Sequence, residues 1–103
     1  MKNLSDLIGQ VVTLKLQSGE ELVTKILEIM NGEVIIHDPV SVAPGPQGIG
    51  LVPSLFTADQ KYEPRLNLDS IVIYALTDES VKNKYIQATS NIIMPETKKL
   101  ILG

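Results

Sequence analysis

VVTLKLQSGEELVTKILEIMNGEVIIHD, residues 11–38, holds three runs of strand character joined by two very short turns. Val12, Leu14 and Leu16 alternate with Thr13, Lys15 and Gln17, the period of a strand with one buried face. Ser18-Gly19 breaks that run, and Asn31-Gly32 separates the next two. Asn-Gly between apolar runs is a strong hairpin signal, because both residues tolerate the positive φ of a type I′ turn. A tightly connected antiparallel meander near the start of a small chain predicts a small β-barrel.

The rest of the chain is read outward from that meander. Residues 3–8 suit a short helical turn, with Asn3 or Ser5 as its cap and Gly9 as its end. Strands are expected at about 11–17, 21–30 and 33–42, the third interrupted by Pro39, which cannot donate a ladder hydrogen bond. APGPQGIG (43–50) reads as a loop, residues 48–56 as a short irregular fourth strand, and ADQKYEP (58–64) as a polar connection. Residues 65–76 read as a fifth strand, with Leu66, Leu68, Val72, Tyr74 and Leu76 on one face and Ile71, Ile73 and Ala75 on the other. A strand apolar on both faces needs cover on both. Residues 77–89 read as a helix capped by Thr77, with Val81, Tyr85 and Ala88 as its apolar stripe. The final stretch, NIIMPETKKLILG, is apolar in two pieces around a charged centre and suits either a tail on the barrel or a docking strand. The expected organisation is one domain, a barrel over 1–76 with the helix and tail of 77–103 packed on it or on a neighbouring subunit.

Bulk composition narrows the function classes. A chain of 103 residues is one domain. With no cysteine it has neither a disulfide framework nor a thiolate metal site. The first ten residues lack the apolar core of a signal peptide, and no run approaches the roughly 20 apolar residues of a membrane span. The expectation is a soluble, cytoplasmic protein without a membrane partner. Nine Lys/Arg against twelve Asp/Glu give a net charge of −3, which argues against a strongly electrostatic nucleic-acid binder. Three Tyr, one Phe and no Trp leave few platforms for stacking bases.

VTLKLQSGEELVTKILEI, with its short preceding helix and tight hairpins, resembles the first motif of the Sm and Sm-like (LSm) proteins. Val12, Leu14 and Leu16 fall at that family's apolar positions, Gly19 at its turn glycine, and Ile26 and Ile29 at the apolar positions of its bent second strand. The likeness covers roughly residues 7–76, and NKYIQATSNI (83–92) is similar to uncharacterised Sm-like proteins of marine bacteriophages. The resemblance implies an all-β, five-stranded SH3-like barrel with a short N-terminal helix and a C-terminal helix. It also implies assembly into a cyclic homo-oligomer and single-stranded RNA as a partner. Several positions depart from the family. Thr24 stands where a bending glycine is usual, Met30-Asn31 matches the family's Met-Asn pair only if three residues are deleted, and Asp69 occupies a place that is normally basic. The alternative expectation is a viral structural or host-protein interaction module that kept the barrel and lost nucleotide recognition.

No catalytic constellation emerges. GPQGIG (45–50) is followed by Leu51-Val52-Pro53, not by the Lys-Ser/Thr and helix of a phosphate loop, so it is expected to connect strands. His37, the one histidine, adjoins Asp38 without an evident nucleophile or further ligands and reads as a solvated or hydrogen-bonded pair. Glu20-Glu21 reads as a hairpin tip, and Ser54 and Ser90 lack the glycines of a nucleophile elbow. The chain is expected to be a non-enzymatic module that needs no cofactor and no metal. The residues assigned to RNA are Lys25, Asn31, Lys61, Tyr62 and Arg65, with Tyr62 between two cations that could hold phosphate while the ring stacks a base.

Overall fold

A computed structural model describes residues 3–90 of the chain. A 3-10 turn over Leu4–Leu7 leads into β1 (Val11–Leu16), β2 (Glu21–Met30) and β3 (Glu33–Gly45). Two glycine turns set their register. Between β1 and β2, the Gly19 N–H donates to the Leu16 carbonyl at 2.8 Å and the Leu16 N–H to the Glu20 carbonyl at 2.9 Å, with Gly19 at φ 92°. That is a tight turn closed by a one-residue glycine bulge. Between β2 and β3, Asn31 and Gly32 have φ of 53° and 77°, the positive pair that a type I′ turn requires.

β3 is long because two successive strands share it as a partner. β4 (Gly48–Pro53) pairs with its second half, from Gly45↔Gly48 to Val40↔Pro53, and β5 (Arg65–Asn67) pairs with its beginning, from Glu33↔Asn67 to Ile35↔Arg65. Between them the chain leaves the sheet. The Ser54 N–H donates to the Pro39 carbonyl and the Ile36 N–H to the Pro64 carbonyl, both at 3.0 Å, so the excursion is fastened at each end. The break has a local cause. Pro39, Pro53 and Pro64 have no N–H to give a ladder, and Asp38 at φ 49° kinks β3 between the two pairings.

After a second 3-10 turn, Leu68–Ser70, β6 (Ile71–Leu76) pairs antiparallel with β1, and α1 (Glu79–Ser90) follows. The sheet order is β4–β3–β2–β1–β6, with β5 beside β3, and every pairing is antiparallel. Among the described residues six strands are present where five were expected. The run 65–76 is not one strand: the Asn67 side chain accepts the Asp69 N–H at 3.0 Å, and the Ser70 hydroxyl donates to the Asn67 carbonyl at 2.7 Å. This side-chain turn competes with the ladder and wins. β3 also runs further than expected, to Gly45, and β4 stops at Pro53.

Two cores lie on opposite faces of the sheet. The first gathers Leu4 and Leu7 with Val12, Leu14, Leu22, Ile26, Val34 and Ile36, and Leu66, Leu68 and Ile71 pack against it. The second joins Val11, Val23 and Val40 to Tyr85 of α1, with Val42, Leu51 and Val81 around them. β2 feeds both cores, and its pairing with β3 shifts register between Val23 and Lys25 and again between Ile26 and Glu28. Each fully buried aliphatic or aromatic side chain contributes about 1.5–3 kcal/mol.

α1 differs from expectation at two positions. Its cap is Asp78, not Thr77: the Asp78 carboxylate accepts the N–H groups of Ser80 at 3.1 Å and Val81 at 3.3 Å, while the Thr77 hydroxyl lies 3.0 Å from that of Thr13. Ala88 is exposed, and Thr89, with its hydroxyl donated to the Tyr85 carbonyl at 2.8 Å, takes the half-buried place. The expected docking strand or tail of NIIMPETKKLILG lies outside the described residues.

Candidate interaction surfaces

The residues assigned to RNA come from β2, the β2–β3 turn, the excursion between β4 and β5, and β5. Asn31 forms the β2–β3 turn and owes its presence to that geometry. Arg65, at the start of β5, has Nη1 3.3 Å from Glu33 Oε1 across the β3–β5 pairing, so its charge is shared with a carboxylate. Lys61 and Tyr62 sit on the excursion, where Asp59 holds the backbone. Its carboxylate accepts the Lys61 N–H at 2.9 Å, and its carbonyl accepts the Tyr62 N–H at 3.2 Å. Tyr62 is 72% exposed. Lys25 is exposed on β2, in register with His37. Among the described residues, no hydrogen bond or ion pair joins any two of these five side chains.

What the structure does assemble there is a small charged cluster. His37 Nε2 lies 3.1 Å from Asp38 and Nδ1 4.0 Å from Glu63, with the ring half exposed and Lys25 across the ladder. The pair is solvated, as expected of it. Among the described residues, no group of three His, Asp or Glu side chains is placed to hold a metal ion. The backbone beneath is more committed than the side chain. The His37 carbonyl accepts the Thr24 hydroxyl at 2.8 Å and the Tyr85 hydroxyl at 2.7 Å, tying α1 to the sheet. Burial, followed by the charge of Asp38, pushes the Tyr85 hydroxyl up to about 12.

GPQGIG forms the β3–β4 turn and borders an open depression of about 370 Å³ lined by Ala43 and residues 45–50. It is built from uncharged hairpin residues, and no helix follows to receive a phosphate.

The larger features are the two ends of the sheet. β6 pairs Val12↔Leu76 and Leu14↔Tyr74, which puts Leu76 and Tyr74 on the face of the first core, yet both remain exposed. Ile73, on the opposite face beside Lys15, is 60% exposed, and Val72 is 55% exposed. Ile71 alone turns inward, because the pairing with β1 shifts between Lys15 and Leu16. At the other end, Ile49 and Val52 of β4 are exposed, and Leu55 and Phe56 follow at the start of the excursion, with Phe56 76% exposed. Pro39 through Ala58 contain no charged residue, and neither do Ser70 through Thr77, although a fifth of the chain is charged (20%). Alternation along the sequence located the apolar faces of β6 but not the uncharged belt. The readable signal for the belt was the missing charge. No family model and no curated protein matches this sequence.

Proposed function

We propose that this chain is a small SH3-like barrel of the Sm-like type, working as a non-enzymatic oligomeric binding module. One observation carries the reading: both terminal strands of the sheet, β4 and β6, are exposed, apolar and free of charge. Sheet edges that stay apart in solution carry lysines, inward charges or covering segments, and these carry no charge at all. Pairing β4 of one copy with β6 of the next uses two different surfaces. Such a head-to-tail contact closes into a ring when the rotation permits. The order β4–β3–β2–β1–β6 and the path from β5 on β3 to β6 on β1 support the barrel. Light scattering over a range of concentrations tests the assembly. A mass well above 11.3 kDa is expected, and a mass fixed at that value at every concentration overturns it.

Binding of single-stranded RNA is the second reading, favoured by Tyr62 standing exposed between Lys61 and Arg65. The Glu33 contact of Arg65 and the net charge of −3 make it the weaker one, and the module that assembles without reading nucleotides is preferred. A titration with uridine-rich and adenosine-rich strands at several salt concentrations separates the two. RNA binding predicts weak, steeply salt-dependent association that becomes shallower in Lys61→Ala/Arg65→Ala. No association at low salt leaves the assembly module alone.

A further inference from the structure

Asn31-Gly32 makes the β2–β3 turn with its backbone, and two reactive groups of the pair are left over. Both residues are exposed. Among the described residues, no hydrogen bond engages the Asn31 side-chain amide, and none is donated by the Gly32 N–H. Gly32 has no side chain to shield its own nitrogen, and a Cβ built there meets nothing within 4 Å. Asn3, Asn67, Asn83 and Asn91 instead precede the bulky Leu4, Leu68, Lys84 and Ile92. A nucleophilic nitrogen next to an unhindered amide carbonyl is set for an intramolecular acyl transfer. The Gly32 nitrogen, its proton passed to solvent hydroxide, attacks Asn31 Cγ. The new N–Cγ bond closes a five-membered succinimide, and the Cγ–Nδ2 bond breaks, the amide leaving as ammonia with a proton from water. Water then adds to one of the two ring carbonyls. Cleavage at Cγ gives aspartate, and cleavage at the main-chain carbonyl gives isoaspartate, whose backbone runs through Cβ and Cγ and is one atom longer. The net exchange is one water in and one ammonia out.

The folded turn holds this reaction back. Asn31 sits at φ 53°, and a type I′ turn keeps its ψ at about +30°, whereas ring closure needs the Gly32 nitrogen to eclipse Cβ. The hairpin tip must open first, and an exposed two-residue tip opens more readily than the core strands. The product acts on a neighbouring element. The Gly32 carbonyl accepts the Leu68 N–H at 2.9 Å, and Glu33 begins the β3–β5 pairing at Asn67. The β2–β3 turn thus supports the 3-10 turn Leu68–Ser70 that leads into β6. We propose that Asn31-Gly32 is a self-modification site that converts to isoaspartate when the hairpin tip opens, and that the lengthened backbone loosens the hold on Leu68–Ser70. Neither part depends on the assembly reading.

Incubation of the full chain at mildly alkaline pH, in buffer and in urea, followed by peptide mapping in a mass spectrometer, tests the site. In buffer, Asn31 is expected to be the first asparagine lost, and urea should shorten its half-time at least about tenfold by opening the turn. Earlier loss of another asparagine, or an Asn31 amide that outlasts the rest, overturns the site. Equal rates in the two solvents overturn the opening step. An isoaspartyl methyltransferase with labelled S-adenosylmethionine is the second probe. Aged parent is expected to accept methyl groups, and aged Asn31→Gly, which keeps the turn but cannot cyclise, to lose that acceptance. Equal acceptance by both places the isoaspartate elsewhere and overturns the assignment. Hydrogen exchange on the purified isoaspartate form tests the consequence. Its Leu68 amide is expected to exchange at least about tenfold faster than in fresh parent, with the β1 amides unchanged. Unchanged Leu68 exchange overturns the link to the 3-10 turn, as does an equal acceleration throughout β1.

Discussion

Gly32 and Tyr85 show how much a single residue settles here. At Gly32 the φ of 77° is the whole demand, because a Cβ built there meets nothing within 4 Å. Gly32→Ala is therefore expected to cost about 1 kcal/mol in denaturant unfolding through backbone strain alone, whereas Asn31→Gly, which keeps both φ values accessible, should stay within about 0.5 kcal/mol. Tyr85 is set by chemistry instead. Its hydroxyl is buried against a carbonyl and near Asp38, which raises it from 10.0 to about 12. A group whose folded value lies above its unfolded one lends its full stability below the unfolded value. The contribution is thus constant up to about pH 10 and is lost as pH climbs from 10 towards about 12. Tyr85→Phe should remove that alkaline loss and cost about 1 kcal/mol at neutral pH, the Thr24 hydroxyl still serving the His37 carbonyl. Urea unfolding of both proteins across pH 7 to about 12 checks this.

At the level of elements, turns were more legible than strands. Asn31-Gly32 announced its hairpin because its dihedral requirement is local and few residues meet it. The division of 65–76 was not read, although Asn67, Asp69 and Ser70 are turn formers, because the apolar alternation on either side of them suggested one continuous strand. Thr77 and Asp78 were both able to cap α1, and only the cross-sheet partner of Thr77, Thr13, decides between them. The assigned RNA residues were legible as residue types, whereas the Glu33 partner of Arg65 and the Asp59 turn beneath Lys61 and Tyr62 were not. Asp78 makes the element-level prediction. Its carboxyl is held below 3.8, first by the Ser80 hydroxyl and then by the Val81 N–H. A depressed carboxyl contributes above its unfolded value and loses that contribution as pH falls through the folded one. The stability difference between the parent and Asp78→Ala should therefore be constant down to about pH 5 and vanish on further acidification below 3.8. Thr77→Ala should show no such acid dependence.

For the whole molecule, two cores on the two faces of one sheet draw their buried residues from β1, β2, β3, the first 3-10 turn and α1, while most apolar residues of β4 and β6 are exposed among the described residues. Under the proposed assembly, Ile73→Glu should lower the mass seen in light scattering towards a monomer without unfolding it. The new carboxylate stands opposite Lys15 in the β1–β6 register, a favourable cross-strand pair. An unchanged oligomer mass in this variant would show that β6 is not the contact. The excursion over residues 54–64 has a different bearing. Because hydrogen bonds at Pro39 and Ile36 fasten its two ends, the registers of β4 and β5 do not depend on what lies between them. The cost of a longer closure grows only logarithmically, about 0.6 kcal/mol for each doubling. A flexible insert of about ten residues between Ala58 and Asp59 should therefore leave the melting temperature nearly unchanged, within about 5 °C. Such a joint lets lineages or engineers lengthen, shorten or rewrite the loop that carries Phe56 and Tyr62 while the sheet beneath stays the same: the chain has a port at which binding specificity can vary independently of folding.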